Sequence, residues 1–221
     1  SIEESDDGLV KVLEDYQIDY FRGSLKDTLS RIVAALSGYS DDTVVTRLTA
    51  DNVFPDGVLL DEIELYFNKK NYKYMLCNGP ESGVPYGVSA EVTKLKYLRA
   101  ANKYSKCEFE REHVTPYIIG KYGKKFYKKY ESLKMGKYRV TIDDIDDYYF
   151  VSNLFSNISE PCHASFLDLI EKINSTKVNF CSYRKHIKKF VIGTAQFGFD
   201  YGINNATGKP EKYDVEMMLK I

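Results

Sequence analysis

The feature that most constrains the fold is a short segment, residues 43–48, that is followed at once by polar residues and by Asp51. Apart from Arg47, the segment is β-branched or apolar, which predicts a central parallel strand buried on both faces. The tripeptide at 55–57, Pro-Asp-Gly, then predicts a turn. Open α/β sheets bind ligands just outside the carboxyl ends of their strands. Asp51 is therefore a candidate ligand for a divalent cation on a nucleotide triphosphate, and capping of the turn is the alternative.

Strand-like and helix-like segments alternate over most of the sequence. Strands are predicted at 18–21, 43–48, 72–77, 89–92 and 138–142. Helices are predicted at 8–15, 25–36 (with Ser24 as N-cap), 58–68, 94–104, from 109 onward, 147–158 and 163–173. This order is typical of an α/β sandwich with a mostly parallel sheet.

Composition excludes some classes of function. The 221 residues are 43% hydrophobic and 29% charged, which is ordinary for a globular protein of one large domain or one domain and a piece. The net charge of −1 gives no general attraction for nucleic acid or anionic membranes. No apolar run approaches the ~20 residues that span a bilayer, and the scattered cysteines suit a reducing compartment. We therefore predict a cytoplasmic protein without nucleic-acid or membrane partners.

Both ends of the sequence are interpreted as cut. The sequence has no initiator Met, and residues 213–221 have a helical pattern without a C-cap. The sequence is therefore interpreted as a fragment of a longer polypeptide.

Asp143 opens an acidic cluster after the strand predicted at 138–142. Because Asp51 also follows a strand, the fold could bring both carboxylates to one edge of the sheet. Two carboxylates, with phosphate oxygens and waters, are suitable ligands for Mg²⁺. The metal would neutralise a triphosphate and leave its α-phosphorus open to in-line attack. Acidic residues also favour a helix N-terminus, so a capping role for Asp143 stays open.

Residues 110–117 combine alternating charges with a histidine at the start of an apolar segment. Arg111 could bind a carboxylate through two hydrogen bonds, and His113 could donate to a phosphate or a sugar hydroxyl. The alternative is a network of i,i+4 salt bridges with a packed histidine.

Residues 121–139 are rich in lysine and tyrosine. Such a segment could bind single-stranded nucleic acid. We favour a solvated helix face, because the flanking segments are acidic and no nucleic-acid motif accompanies the segment.

Four blocks in this sequence resemble the cytidylyltransferase-like family of spore-coat polysaccharide biosynthesis proteins. That family is related to the CMP-sugar synthetases, which activate acidic sugars such as Kdo and sialic acid. The blocks are F-R-G-S at 21–24, R-L-T-A-D at 47–51, R-E-H-V-T-P-Y at 111–117 and T-I-D-D-I-D-D at 141–147. The resemblance covers about residues 8–173, and the third block is the most specific.

The resemblance implies a three-layer α/β/α nucleotide-diphospho-sugar transferase fold, truncated at its N-terminus. It implies CTP and Mg²⁺, with a sugar oxygen attacking the α-phosphate and pyrophosphate leaving. Asp51 and Asp143 fall on the two metal-binding, catalytic carboxylates of the family. Substrate-binding positions are implied for a further set of residues: Arg22, Ser24, Arg47, Glu91, Arg111 and His113. The partners would be CTP, a sugar that could be acidic, and a second copy of the chain in a homodimer.

Two departures from the family pattern bear on function. Ser89 stands where relatives usually carry an acidic residue. The Gly-rich loop that cradles the triphosphate in the family would precede Ser1, so the fragment alone is expected not to turn over CTP.

Residues 190–198 and 201–204 resemble the opening of an aldo/keto reductase, a (β/α)₈ barrel that uses NADPH. By this resemblance Gly193 and Thr194 would lie near the nicotinamide. The predicted organisation is a cytidylyltransferase-like domain at 1–175, a linker at 176–188 and the start of a reductase barrel at 189–221. The predicted function is synthesis of a CMP-sugar for surface polysaccharide. The alternative is a non-catalytic sugar-nucleotide binding module attached to an NADPH-dependent reductase.

Overall fold

The structure, a computed structural model, describes residues 1–156, 158 and 160–175. The predicted linker and reductase segment, with Gly193 and Thr194, lie outside the described residues.

The sheet of the described region has four strands. They are β1 (Val44–Arg47), β2 (Tyr74–Cys77), β3 (Ala90–Lys94) and β4 (Lys125–Phe126), in the spatial order β1-β3-β2-β4. Strand β3 is antiparallel to both β1 and β2, whereas β4 is parallel to β2. Three strands therefore run in one direction, as predicted for a mostly parallel sheet, and β3 runs against them.

Strand β1 differs from its prediction in two respects. It lies at one edge of the described sheet, and its four residues are half-buried. The prediction of a central strand buried on both faces is therefore wrong for the described region. The β-branched pattern identified the strand itself correctly, because such residues favour pleated structure whatever their place in the sheet.

Nine α-helices occur in the described region. They are α1 (Asp7–Asp15), α2 (Thr28–Ala35), α3 (Gly57–Lys70), α4 (Gly79–Ser82), α5 (Leu95–Tyr104), α6 (Glu108–His113), α7 (Pro116–Tyr122), α8 (Ile145–Phe155) and α9 (Phe166–Ser175). Apart from the short α4, each corresponds to a segment predicted helical or, for α7, lies just beyond one. No described helix combines the length and the apolar character that crossing a bilayer requires.

Helices cover both faces of the sheet. Successive side chains of a strand point to opposite faces, and β1 shows this directly. Val45 packs against the core formed by α2, α5 and α7, while Thr46 donates a 2.5 Å hydrogen bond to Glu64 on α3. Helix α3 buries Leu59, Ile63 and Phe67. The mixed α/β architecture predicted from the sequence is confirmed.

Two strand predictions are wrong. Residues 18–21 are not in a strand, and residues 138–142 form only isolated bridges, from Arg139 to Tyr86 and from Thr141 to Asn52. A β-rich pattern does not by itself supply a paired neighbour, and a ladder requires one. The N-cap prediction also shifts: α2 begins at Thr28, and Asp27 caps it by accepting from the Ser30 amide at 2.9 Å.

The basic segment 121–139 is not a helix, so that prediction is wrong. It contains the end of α7, strand β4 and a 3₁₀ turn at Glu131–Leu133. The turn packs so closely on Gly83 that a side chain there would collide with the Tyr130 carbonyl, and Gly83 has a φ of +76°. Lys129 pairs with Glu62 of α3 at 2.8 Å. Long-range contacts of this kind override a helical pattern of charges.

Candidate functional site

A cavity of about 150 Å³ lies at the edge of the sheet where β1 and β2 end and β3 begins. Because β3 is antiparallel to its neighbours, its amino end meets their carboxyl ends. The cavity therefore occupies the position at which open α/β sheets bind ligands. The lining residues are Arg47, Thr49, Asp51, Asn52, Leu76, Asn78, Tyr86, Ser89 and Glu91.

An ion pair forms one wall of the cavity. Arg47 and Glu91 are register partners on β1 and β3, and Arg47 Nη1 lies 2.6 Å from Glu91 Oε2. The second carboxylate oxygen of Glu91 accepts from the Tyr74 hydroxyl at 2.9 Å and from Thr115 Oγ1 at 3.1 Å. Burial, together with the negative charge of Glu91, raises the pKa of Tyr74. Three donors from separate parts of the chain thus fix one carboxylate.

A strained turn supplies one of these donors. Val114 has φ +71° and ψ −55°, and the Thr115 amide donates to the His113 carbonyl at 2.8 Å, which defines a γ-turn. A β-branched residue rarely adopts positive φ, and such strain costs about 1–3 kcal/mol. The turn directs the buried Thr115 hydroxyl toward Glu91, and α7 begins at Pro116. This turn is the central part of the R-E-H-V-T-P-Y block.

The backbone brings the two predicted metal-binding segments together. The Ile142 amide donates to the Asp51 carbonyl at 3.0 Å, beside the bridge that joins residues 52 and 141. Asp51 lines the cavity. The Asp143 carboxylate contacts the Arg139 guanidinium and accepts from Thr141 Oγ1 at 3.1 Å.

The donor chemistry fits a magnesium ion in part. Mg²⁺ in nucleotide enzymes is usually held by one or two carboxylates together with substrate phosphates, and Asp51 offers such an oxygen on the cavity wall. The Asp143 carboxylate would have to break its contact with Arg139 before it could bind the metal. Within the described ranges, no three His, Cys, Asp or Glu side chains are grouped as metal ligands. The assignment of both acids as metal ligands stays a prediction.

Arg111 and His113 lie away from the cavity lining. The Arg111 guanidinium donates from Nε to Asp27 at 2.6 Å and from its two Nη atoms to the Asn102 carbonyl and side chain at 3.2 and 3.0 Å. It therefore ties α6 to α2 and α5. His113 is exposed, and its ring centroid is 4.5 Å from that of Phe109.

Arg22 and Ser24 are also outside the cavity lining. Arg22 donates to the carbonyls of Ser1 and Glu3 and pairs with Asp7 at 2.8 Å. Of the predicted substrate-binding residues, the structure thus brings only Arg47 and Glu91 to the cavity with Asp51.

The sequence-based prediction missed two asparagines in the cavity. Asn52 Nδ2 donates to Thr49 Oγ1 and to Ser89 Oγ, both at 2.7 Å. The Asn78 Oδ1 atom is buried without a hydrogen-bond partner among the described residues. Asn78 is the first residue after β2, so its place after a strand was a usable signal.

The fold is that of a cytidylyltransferase-type nucleotidyltransferase. The chain superposes on a cytidylyltransferase from Leptospira borgpetersenii serovar Hardjo-bovis (strain JB197) with a TM-score of 0.70 and 26% identity, over 87% of this chain and 78% of that chain.

Two known proteins are similar to this chain in sequence. The chain is 36% identical over 151 residues to an uncharacterised protein of Methanocaldococcus jannaschii, covering 67% of this chain and 60% of that protein. It is 32% identical over 160 residues to the spore coat polysaccharide biosynthesis protein SpsF of Bacillus subtilis, covering 70% of this chain and 64% of SpsF. The chain thus spans less than two thirds of either relative. No family model matches it. The similarity to SpsF and the cytidylyltransferase fold both agree with the family that the sequence resembles.

Proposed function

We propose that the full-length protein is a cytidylyltransferase that activates a sugar as its CMP derivative for surface polysaccharide biosynthesis. The proposal is supported by the cytidylyltransferase fold and by the similarity to SpsF. The observation that carries it is the cavity at the sheet edge, where Asp51 lies beside the fixed pair of Arg47 and Glu91.

In the proposed reaction, a sugar hydroxyl oxygen forms a bond to the α-phosphorus of CTP. The bond from that phosphorus to the bridging oxygen breaks, pyrophosphate leaves, and the hydroxyl proton passes to a base. Phosphoryl-type transfer of this kind depends mainly on positioning and on charge stabilisation. When bound, Mg²⁺ supplies neutralisation of the triphosphate charge, and Asp51 is the residue that would hold it.

The cavity residues position the sugar in this scheme. The Asn78 Oδ1 atom has no hydrogen-bond partner among the described residues, so it is an acceptor for a sugar hydroxyl. The Asn52 side chain joins Thr49 to Ser89 and keeps the polar wall in one arrangement. Glu91 is held by three donors, which allows it to orient a hydroxyl without losing its own position.

The test is mass-spectrometric detection of a CMP-sugar from full-length protein, CTP, Mg²⁺ and a panel of sugars. Asp51→Ala should lower turnover about 100-fold or more, the order of effect seen when one charge-stabilising group is removed. Asp61→Ala is a matched control, because Asp61 is an exposed acid on α3. Full activity of a folded Asp51→Ala protein would remove the role of Asp51. If none of the sugars in the panel yields a CMP-sugar, the proposed function is contradicted.

A further inference from the structure

Two segments of the chain are rich in lysine and contain no acidic residue. Residues 65–80 contain three lysines and residues 114–130 contain five, and neither segment contains Asp, Glu or Arg. The two segments meet in the sheet, because β2 and β4 pair in parallel with Met75 opposite Lys125. The residues that precede these two strands therefore lie side by side at one edge of the sheet. This edge carries a local positive charge, although the net charge of the whole chain is −1.

Exposed lysines without acidic partners lie at this edge. We refer to the following six as the lysine surface: Lys69, Lys70, Lys73, Lys121, Lys124 and Lys125. Within the described residues, no carboxylate forms an ion pair with any of the six. The other half of the same edge, where β3 ends and β1 begins, is different, because Lys94 and Lys96 both pair with Asp42, at 3.7 and 2.7 Å. Positive charge is thus neutralised beside β1 and β3 but not beside β2 and β4.

Aromatic rings hold several of these lysines in place. Lys73 and Lys121 both lie over the ring of Tyr122, at 4.8 and 5.5 Å from its centroid. Lys124 lies 5.0 Å from the ring centroid of Phe126. A ring attracts an ammonium group without removing its charge. The lysine surface is therefore a fixed cluster of like charges, which favours an anionic partner.

Helix geometry explains only part of this cluster. Basic residues favour the C-terminal turn of a helix, and Lys69 and Lys70 lie in the last turn of α3, as Lys121 does in that of α7. The other three lysines precede or lie in strands β2 and β4. No helix dipole accounts for their positions.

Two features favour a lipid surface over a nucleic acid. Single-stranded nucleic acids are commonly bound by open aromatic faces and by arginine, whereas the Tyr122 and Phe126 rings carry lysines and both segments lack arginine. Leu65 is 72% exposed and lies one turn before Lys69 on the same face of α3. An apolar side chain beside lysines suits a bilayer interface, where it leaves water while the ammonium groups contact headgroups.

We propose that the lysine surface, together with Leu65, binds a membrane surface that contains anionic phospholipids. The ammonium groups contact the lipid phosphates, and Leu65 enters the interface. Lys73 precedes β2, whereas Asn78, just after β2, lines the candidate cavity. The two lie about 16 Å apart along the strand, so attachment does not cover the cavity. The inference is independent of the proposed function. It differs from the sequence-based expectation of no membrane partner, because that expectation used the net charge of the whole chain.

Cosedimentation with vesicles tests the proposal. Full-length protein is mixed with vesicles of phosphatidylcholine alone, or of phosphatidylcholine and phosphatidylglycerol, at low and at physiological ionic strength. We expect binding to the anionic vesicles only, and weaker binding at the higher ionic strength, because salt screens exposed charges. If the anionic vesicles retain no protein at low ionic strength, the inference is overturned.

Charge variants show whether this surface is the one that binds. Each lysine close to an anionic bilayer strengthens binding about fivefold. The combined variant Lys73→Gln, Lys121→Gln and Lys124→Gln should therefore bind anionic vesicles about 100-fold more weakly. The matched control removes the same charge at three exposed lysines elsewhere: Lys11→Gln, Lys26→Gln and Lys134→Gln. Equal binding by the two triple variants, both with the circular dichroism spectrum of the wild type, would refute the assignment.

A further pair of variants separates lipid from nucleic acid. Leu65→Ser should weaken vesicle binding about tenfold, because the leucine no longer leaves water. Val58→Ser is the control, since Val58 is 73% exposed at the other end of the same helix. Fluorescence anisotropy with single-stranded RNA gives the competing affinity. Tighter binding to RNA than to anionic vesicles at equal phosphate concentration, or equal vesicle binding by the two variants, would overturn the proposal.

Discussion

Asp56 is a buried carboxylate that joins the starts of two helices distant in sequence. It is 8% exposed. Its Oδ1 atom caps α3 by accepting from the Leu59 amide at 3.0 Å, and its Oδ2 atom accepts from the Phe166 amide at the start of α9 at 2.8 Å. Replacing Asp56 with alanine would leave both amides without their acceptor. Because the Phe166 contact spans 110 residues, its loss would also loosen α9.

The expected loss follows from these two hydrogen bonds. An N-cap contributes about 1 kcal/mol, and a hydrogen bond to a charged group contributes about 1.5–3 kcal/mol. Asp56→Ala should therefore lower the free energy of unfolding by about 3 kcal/mol. For a domain of this size, that corresponds to a fall in Tm of about 6–12 °C. Asp56→Asn keeps one acceptor oxygen and should lose about half as much.

Thermal and urea unfolding, followed by circular dichroism, measure this loss. Asp61→Ala makes the same chemical change at an exposed position of the same helix and should stay within about 0.5 kcal/mol of the wild type. If Asp56→Ala is no less stable than Asp61→Ala, the argument that a shared buried acceptor ties α3 to α9 is refuted.

Three further predictions concern other parts of the molecule. Thr115→Val removes the hydroxyl that donates to Glu91 and should lower the free energy of unfolding by about 1 kcal/mol. Thr115→Ser keeps the hydroxyl and should be more stable than Thr115→Val. Equal stability of the two variants in urea would contradict a stabilising role for this hydrogen bond. The hydrogen bond from Lys129 lowers the pKa of Glu62, so the stability from this contact is present at neutral pH and lost as pH falls through that lowered pKa. Glu62→Gln should therefore have a flatter dependence of Tm on pH between 7 and 3; an unchanged slope would count against the contact. Burial raises the pKa of the Cys77 thiol to about 12, whereas Cys107 is exposed. Iodoacetamide at pH 8 should therefore modify Cys107 well before Cys77, as followed by peptide mass mapping. Equal rates of modification would show that Cys77 is accessible.

Much of the local structure followed from the sequence alone. The β-branched run at 43–48 marked β1, and apolar spacing marked the helices whose buried faces now form the core. The end of the predicted strand pointed to Asp51, and the family resemblance implied Arg47 and Glu91; all three line the cavity, and their roles stay predictions. The elements could be predicted because periodicity records which face of an element is buried.

Tertiary structure decided which partner each polar side chain takes. Arg111 had the chemistry of a substrate clamp, but it binds Asp27, which is 84 residues away in sequence. Asp143 pairs with Arg139, and the basic segment folds against Gly83 and Glu62 instead of forming a helix. The direction of β3 and the contact between Thr115 and Glu91 likewise depend on elements distant in the chain. A local pattern favours one state for its own segment, whereas hydrogen bonds and ion pairs depend on which segments the packed core brings within about 3 Å of one another and can override that preference.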